Sequence, residues 1–148
     1  MATITSGVYP VYENQFKINT KGRDGSTTNM VTIDDMESFS VSFDDNVEEW
    51  TPMTSEGWVR RLKTGKGITI SLAGKRHVGD AGNDYIASLA FKSGQACNSQ
   101  IEWNFPNGDK VLMDCVINVT SAGGDSTNVE PLEFECLSDG KPTFTEAT

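Results

Sequence analysis

At 148 residues, with 36% hydrophobic side chains, the chain has the size of one domain that can bury a core without disulfides or a metal. Its 21 acidic and 12 basic side chains give a formal net charge of -9, which argues against a nucleic-acid surface built on a basic footprint. No run of about 18 apolar residues is present to cross a membrane as a helix. Residues 1–6 lack the basic and apolar regions of a secretory signal, so synthesis and maturation in a cytosol are expected.

Residues 1–20 carry an apolar and aromatic set, Ile4, Val8, Tyr9, Val11, Tyr12, Phe16 and Ile18. Pro10 confines the first part to an edge or an irregular extended path, and a short strand is predicted at 15–19. A polar, glycine-rich turn is predicted at 21–26. It makes a poor phosphate loop, because no apolar strand precedes its glycines and no helix follows them. Another short strand is predicted at 30–33, and a turn at Asp34 and Asp35.

The next stretch organises the chain. Residues 38–43 place Phe39, Val41 and Phe43 on one side and Ser38, Ser40 and Ser42 on the other. Residues 68–72 alternate in the same way, with Ile68, Ile70 and Leu72 against Thr69 and Ser71. Period-two alternation marks a strand with one face in a core and the other against something polar. The connection between the two strands, residues 44–66, far exceeds a normal hairpin loop. It holds Asp44, Asp45, Glu48, Glu49 and Trp50, then Trp58, Arg60, Arg61, Lys63 and Lys66. Residues 51–57 are expected to be irregular, because Pro52 and Gly57 interrupt ladders and helices. Trp58, Val59 and Leu62 fit one side of a helical turn or a twisted strand equally well. The opposite charges pair within the connection, set the register between neighbouring copies, or simply solvate a loop. Two tryptophans among paired charges suit an arm that meets another subunit.

One helix is predicted, at about 83–92, from the stripe Tyr85, Ile86, Leu89 and Ala90. Asp80 or Asn83 can cap its start, Asp84 suits its first turn, Lys92 its last, and Gly94 can stop it. The acids here lack the alternate spacing and late glutamate of an EF-hand loop. Strands resume with Ile101, Trp103 and Phe105, a hairpin turn at 106–109, and a return strand carrying Val111, Met113, Cys115, Ile117 and Val119. After a loop at 121–126, Leu132, Phe134 and Cys136 alternate with Glu133 and Glu135. The tail from 141 to 148 is expected to fray unless it docks on a partner. The predicted whole is mainly β, six to eight strands and one flanking helix in a β-sandwich or small barrel-like domain spanning 1–148.

Catalytic groups are thin. His77 is the one imidazole, the cysteines lack metal-ligand spacing, and no nucleophile elbow surrounds a serine or cysteine. Cys97, Cys115 and Cys136 read as buried structural thiols. The sequon at Asn118 lies inside a predicted strand and reads as chance. No enzyme activity, cofactor or metal is expected. Assembly remains, since strand faces of small hydroxyls and acids suit the lining of a wide, wet barrel built from several subunits.

The segments 47–53, 57–62, 64–66, 68–76 and 79–85, together with 131–134 and 138–142, resemble the tail tube (major tail) proteins of long-tailed bacteriophages. The likeness runs along almost the whole chain and is one of overall pattern. It implies a β-sandwich with one flanking helix, subunits closed into hexameric rings, and rings stacked into a hollow tube. A long arm reaches neighbouring subunits, and inner strands line the lumen that holds the tape measure protein and then the DNA. Tail-tip and tail-terminator proteins would bound the tube, in a virion assembled in the host cytoplasm, with no membrane involved. An acidic lining lets DNA slide without sticking. The lumen-lining candidates are Ser40, Ser42, Asp44, Thr69 and Ser71, with Glu102, Asp114, Glu133 and Glu135 set on an alternative outer surface. A flexible, non-contractile tail is the expected setting. Tubes of contractile or type VI-like systems are the nearest alternative, and a monomeric carbohydrate-binding or adhesin sandwich the alternative from another class.

Overall fold

The computed structural model describes residues 4–23 and 27–147, so the turn predicted at 21–26 lies partly outside the described residues. Strands β1 (Gln15–Asn19), β2 (Met30–Thr32), β3 (Met36–Phe43), β6 (Ile68–Lys75), β7 (Asn98–Asn104), β8 (Lys110–Ser121) and β9 (Pro131–Ser138) form one antiparallel sheet in the order β2-β1-β7-β8-β9-β6-β3. A short strand β10 (Thr143–Thr145) adds to β8, and β4 (Asn46–Trp50) with β5 (Arg60–Gly65) makes a separate two-stranded ribbon.

β8 explains how one sheet encloses a core. Its first part, Lys110 to Val116, pairs with β7, while Cys115 to Ser121 pairs with β9. A strand shared in this way lets the sheet roll over on itself, as in a barrel or a sandwich whose layers are continuous. The roll brings Phe16 of β1, second in the sheet order, edge-on to Phe39 of β3 at its far end, with ring centroids 4.8 Å apart. Trp103 stacks on Phe16 at 5.9 Å, and its indole N–H donates to Asn14 Oδ1 at 3.0 Å. Inside the roll lie Ile18, Ile70, Leu72, Ile101, Met113, Cys115, Ile117, Leu132, Phe134 and Cys136, all from the apolar registers of their strands. The three cysteines are free and buried, and burial beside Cys115 pushes the Cys136 thiol well above its ordinary range.

The helix α1 runs from Ala81 to Ser88, earlier at both ends than the expected 83–92. Asp80 is the cap, its carboxylate accepting from Asn83 N at 2.9 Å. Asn83, the other candidate cap, sits inside the helix and is fully buried. The chain tightens after Ser88 into three-residue turns, with Leu89 N donating to Ile86 O and Ala90 N to Ala87 O. That change of period rotates Ala90 to the surface while Leu89 and Ile86 close the core, so the expected stripe ends one residue early. Lys92 lies beyond the helix, and Gly94 opens a short 3-10 turn. The tail also differs from expectation: Thr143 to Thr145 pairs with Leu112 to Lys110 instead of fraying, and Phe144 meets Phe105 at 6.2 Å.

Candidate assembly surface: the arm and the polar sheet face

The connection between β3 and β6 is a β-ribbon, not the loop that its length suggested. Phe43 pairs with Ile68, Asp44 N donates to Gly67 O at 2.8 Å, and the ladder resumes at Asn46 and Gly65. After an irregularity beyond Asn46, Val47, Glu48, Glu49 and Trp50 pair with Lys63, Leu62, Arg61 and Arg60. β3–β4 and β5–β6 are thus the two legs of one long hairpin, whose outer part stands away from the barrel. At its tip Met53–Ser55 form a 3-10 turn, and Glu56 and Gly57 both take left-handed backbone, at φ 55° and 88°. Cross-strand partners share a face, so Val47, Glu49, Arg61 and Lys63 lie on one side of the ribbon and Glu48, Trp50, Arg60 and Leu62 on the other. Leu62 therefore lies in a strand, and Trp58 and Val59 in the short irregular segment that leads from the tip turn into it.

Neither side of the ribbon has a core. Trp50 is 42% exposed, Leu62 60%, Trp58 77% and Met53 fully so. An isolated two-stranded hairpin is at best marginally stable in water, and it needs a further layer to bury apolar side chains. The charges are partly resolved within the arm. Lys63 Nζ lies 2.7 Å from Asp45 and holds its carboxyl below the usual carboxylate range, while Arg61 meets Glu49 at 2.9 Å. The Arg60 guanidinium lies over the Trp50 ring at 5.5 Å. Lys66 adds its charge to the field at Asp45, and among the described residues Arg60 forms no salt bridge. Such exposed pairs contribute little to stability.

The lumen-lining candidates do come together. Ser40 pairs with Ser71 and Ser42 with Thr69 on the solvent side of β3 and β6. Asp44 joins them, accepting from Ser42 Oγ at 3.2 Å and from Thr69 Oγ1 at 2.7 Å. Ser71 in turn pairs with Glu135, and Glu135 with Asn118, whose side-chain amide donates to it at 3.1 Å. Glu133 and Glu135 therefore adjoin the serine rows and do not lie on an opposite surface. Glu102 and Asp114 lie on the same side of the sheet, further round the roll, paired with Leu112 and Gln100.

The far end of β3 and β6 carries an ion cluster that pattern reading missed. His77 Nδ1 contacts the carboxylates of Asp35 and, at 3.1 Å, Asp34. The buried Asn83 braces the same corner: its Oδ1 accepts from Arg76 at 2.8 Å and from His77 N at 3.0 Å, while its Nδ2 donates to Asp34 O and Lys75 O. Asp34, Asp35 and His77 bring ligand-type atoms within 4.8 Å of one another, but the imidazole nitrogen that faces the carboxylates is engaged by them as an ion pair. The hydrogen bond to Asp35, with the charges of Asp35, Asp34 and Asp80, raises His77 above its ordinary 6.5. A raised folded-state value means that the pair stabilises fully below 6.5 and is lost as pH climbs through the elevated value. Thermal melts of the wild type should therefore fall across that window relative to His77→Gln. Parallel curves for the two proteins would show that the pair contributes nothing.

No family model and no curated protein matches the chain. Solved structures do. The chain superposes on one from the tail of an empty gene transfer agent particle, computed with helical refinement and C6 symmetry, at a TM-score of 0.74. The two are 18% identical over 94% of this chain and 100% of that one. A chain from the virion of a native gene transfer agent particle matches at a TM-score of 0.71, with the same identity and coverage. No helix among the described residues is long and apolar enough to cross a membrane. Along nearly its whole length, the chain has the fold of a protein from the tail of a gene transfer agent particle.

Proposed function

We propose that the chain is a tail tube protein, a structural subunit that closes into hexameric rings stacked as a hollow conduit for DNA. The observation that carries the reading is the arm: a tryptophan-bearing ribbon that exposes large apolar side chains and has no core of its own, on a fold shared along 94% of this chain with a chain from a C6-symmetric tail. A second copy is the simplest source of the missing layer. In this reading Ser40, Ser42, Asp44, Thr69 and Ser71 face the lumen, and the register brings Glu133 and Glu135 to the same wall. Six copies per ring would repeat those carboxylates around the bore, where like charge keeps DNA from adhering. The tape measure protein would fill the bore before DNA does, and tail-tip and terminator proteins would cap its ends. The role is structural and non-enzymatic, in a virion tail assembled in the host cytoplasm, with a non-contractile tail preferred over a contractile or type VI-like one.

Negative-stain microscopy of the purified protein, with light scattering on the same sample, tests this directly. Rings or long hollow tubes are expected. A monomer at every concentration that binds glycans through Trp50 and Trp58 would overturn the reading in favour of a monomeric binding module.

A further inference from the structure

The roll is open at the end from which the arm springs. Phe43 and Ile68 are the last pair of the β3–β6 ladder, and both stand in its inward register. Beyond them the Asp44–Gly67 hydrogen bond leads the two strands out into the arm. β9 leaves the sheet at the same level. Ser138 Oγ accepts from Ile68 N at 2.9 Å, and the chain then bends through Gly140, at φ 94°. Pro142, with no N–H for a ladder, precedes the short β10. The diverging segments leave a cavity of about 710 Å³ in the mouth of the roll, a usual place for a ligand in a barrel. Its apolar floor is Phe43, Ile68 and Pro142, and Phe43 is 66% exposed although it stands in the inward register.

The rim of this mouth is basic, on a chain of net charge -9. Lys63, Lys66 and Lys141 stand around it with one carboxylate, Asp45, which Lys63 takes up at 2.7 Å. Lys66 and Lys141 form no salt bridge among the described residues. The flanking acids do not cancel them. Asp139 is held by Arg23 at 2.8 Å, and Asp44 accepts from the Ser42 and Thr69 hydroxyls on the outer face. With these included, Lys63, Lys66, Lys141 and Arg23 still outnumber Asp44, Asp45 and Asp139. An apolar floor beneath two spare ammonium groups fits a segment that brings carboxylates and an apolar side chain together.

The chain carries such a segment at the other end of β9. Residues 121–130, which lead from β8 to β9, are exposed throughout. They hold Asp125, Val129 and Glu130, and no basic residue. Bonds within the loop shape it: Gly123 N donates to Glu130 Oε1 and Asn128 N to Asp125 O, both at 3.0 Å. Val129 is 65% exposed, and neither carboxylate forms a salt bridge among the described residues. Seven residue steps of about 3.3 Å, from Pro131 to Ser138, set the loop roughly 23 Å from the mouth. A copy cannot fill its own mouth.

We infer that the β8–β9 loop of one copy enters the mouth of the roll in another. Asp125 and Glu130 meet Lys66 and Lys141, and Val129 covers Phe43. The two patches differ and lie at opposite ends of β9, so the contact is head-to-tail and passes from copy to copy along the strand direction. It rests on the tube reading, and within that reading it is a contact of the barrels, separate from the arms.

Carbodiimide crosslinking tests the contact on the unaltered chain, since it joins only amines and carboxylates that already touch. Tubes are grown from an equal mixture of ordinary and isotope-labelled protein, so amides formed between copies can carry both labels. Mixed-label amides from Lys66 or Lys141 to Asp125 or Glu130 are expected. Charge reversal at these exposed positions gives a second reading. Lys66→Glu/Lys141→Glu and Asp125→Lys/Glu130→Lys should each raise the critical concentration about tenfold or more, and combining them in one chain should lower it again. Tubes in which these lysines join only acids of their own copy, and which ignore both reversals, would overturn the docking and leave the tube reading standing. Mixed-label amides in protein that builds no tube would keep the docking and overturn the tube reading. Protein that gives neither would overturn both.

Discussion

Replacing residues 46–65 with a two-residue turn is expected to give a folded monomer that builds no tube. The deletion is clean because the arm contributes no residue to the hydrophobic core. The Phe43–Ile68 pair and the Asp44–Gly67 hydrogen bond already close the hairpin below it. The melting temperature should therefore move little, while assembly is lost outright. A graded version separates anchors from scaffold. Trp50→Ala and Trp58→Ala remove large aromatic side chains of the kind that dominate interfaces, each worth about 2 kcal/mol or more, roughly a thirtyfold rise in critical concentration. Glu56→Ala at the same tip should be nearly neutral for assembly, since it removes a charge with no partner among the described residues. Sedimentation across a concentration series reads all three. Tubes from the arm-deleted protein would mean that subunits associate through the barrel, and the unpartnered ribbon would then need a different explanation.

The contrast between arm and barrel also explains what the sequence made legible. Barrel strands announce themselves because one face is buried: Ile101, Trp103, Met113, Ile117 and Phe134 recur at every second position, and their strands fall where the alternation places them. The ribbon has two wet faces, so burial imposes no period on Val47–Glu48–Glu49–Trp50, and a regular ladder reads as a charged loop. The serine rows of β3 and β6 were visible, but their junction with Glu133 and Glu135 is a matter of strand order, and alternation alone cannot say which strand lies beside which. The His77 corner was hidden for a similar reason. His77 lies more than forty positions from Asp34 and Asp35 in sequence, and the β3–β6 register brings them together.

That register has one point where it tolerates no side chain. Gly74 pairs with Met36 on one side and Leu132 on the other, inside the roll. A Cβ added there would stand 2.2 Å from Asp35 O and 2.6 Å from Met36 Cα. Both obstacles are backbone, so no rotamer relieves the clash, and the β2–β3 turn must move. Its movement breaks the 2.8 Å bond from Lys75 N to Asp35 O and pulls Asp34 O away from the buried amide of Asn83. Overpacking of this kind costs about 1–3 kcal/mol or more, and each buried polar group left unmatched about 1–3 kcal/mol besides. Gly74→Ala is thus expected to lose about 3–5 kcal/mol, a large share of the roughly 5–15 kcal/mol that holds a domain together. Gly123→Ala is the control: its φ of 88° makes the change unfavourable, but open space surrounds it, and the loss should stay near 1 kcal/mol. Denaturant midpoints decide between them, and equal losses would show that the turn yields easily at Gly74.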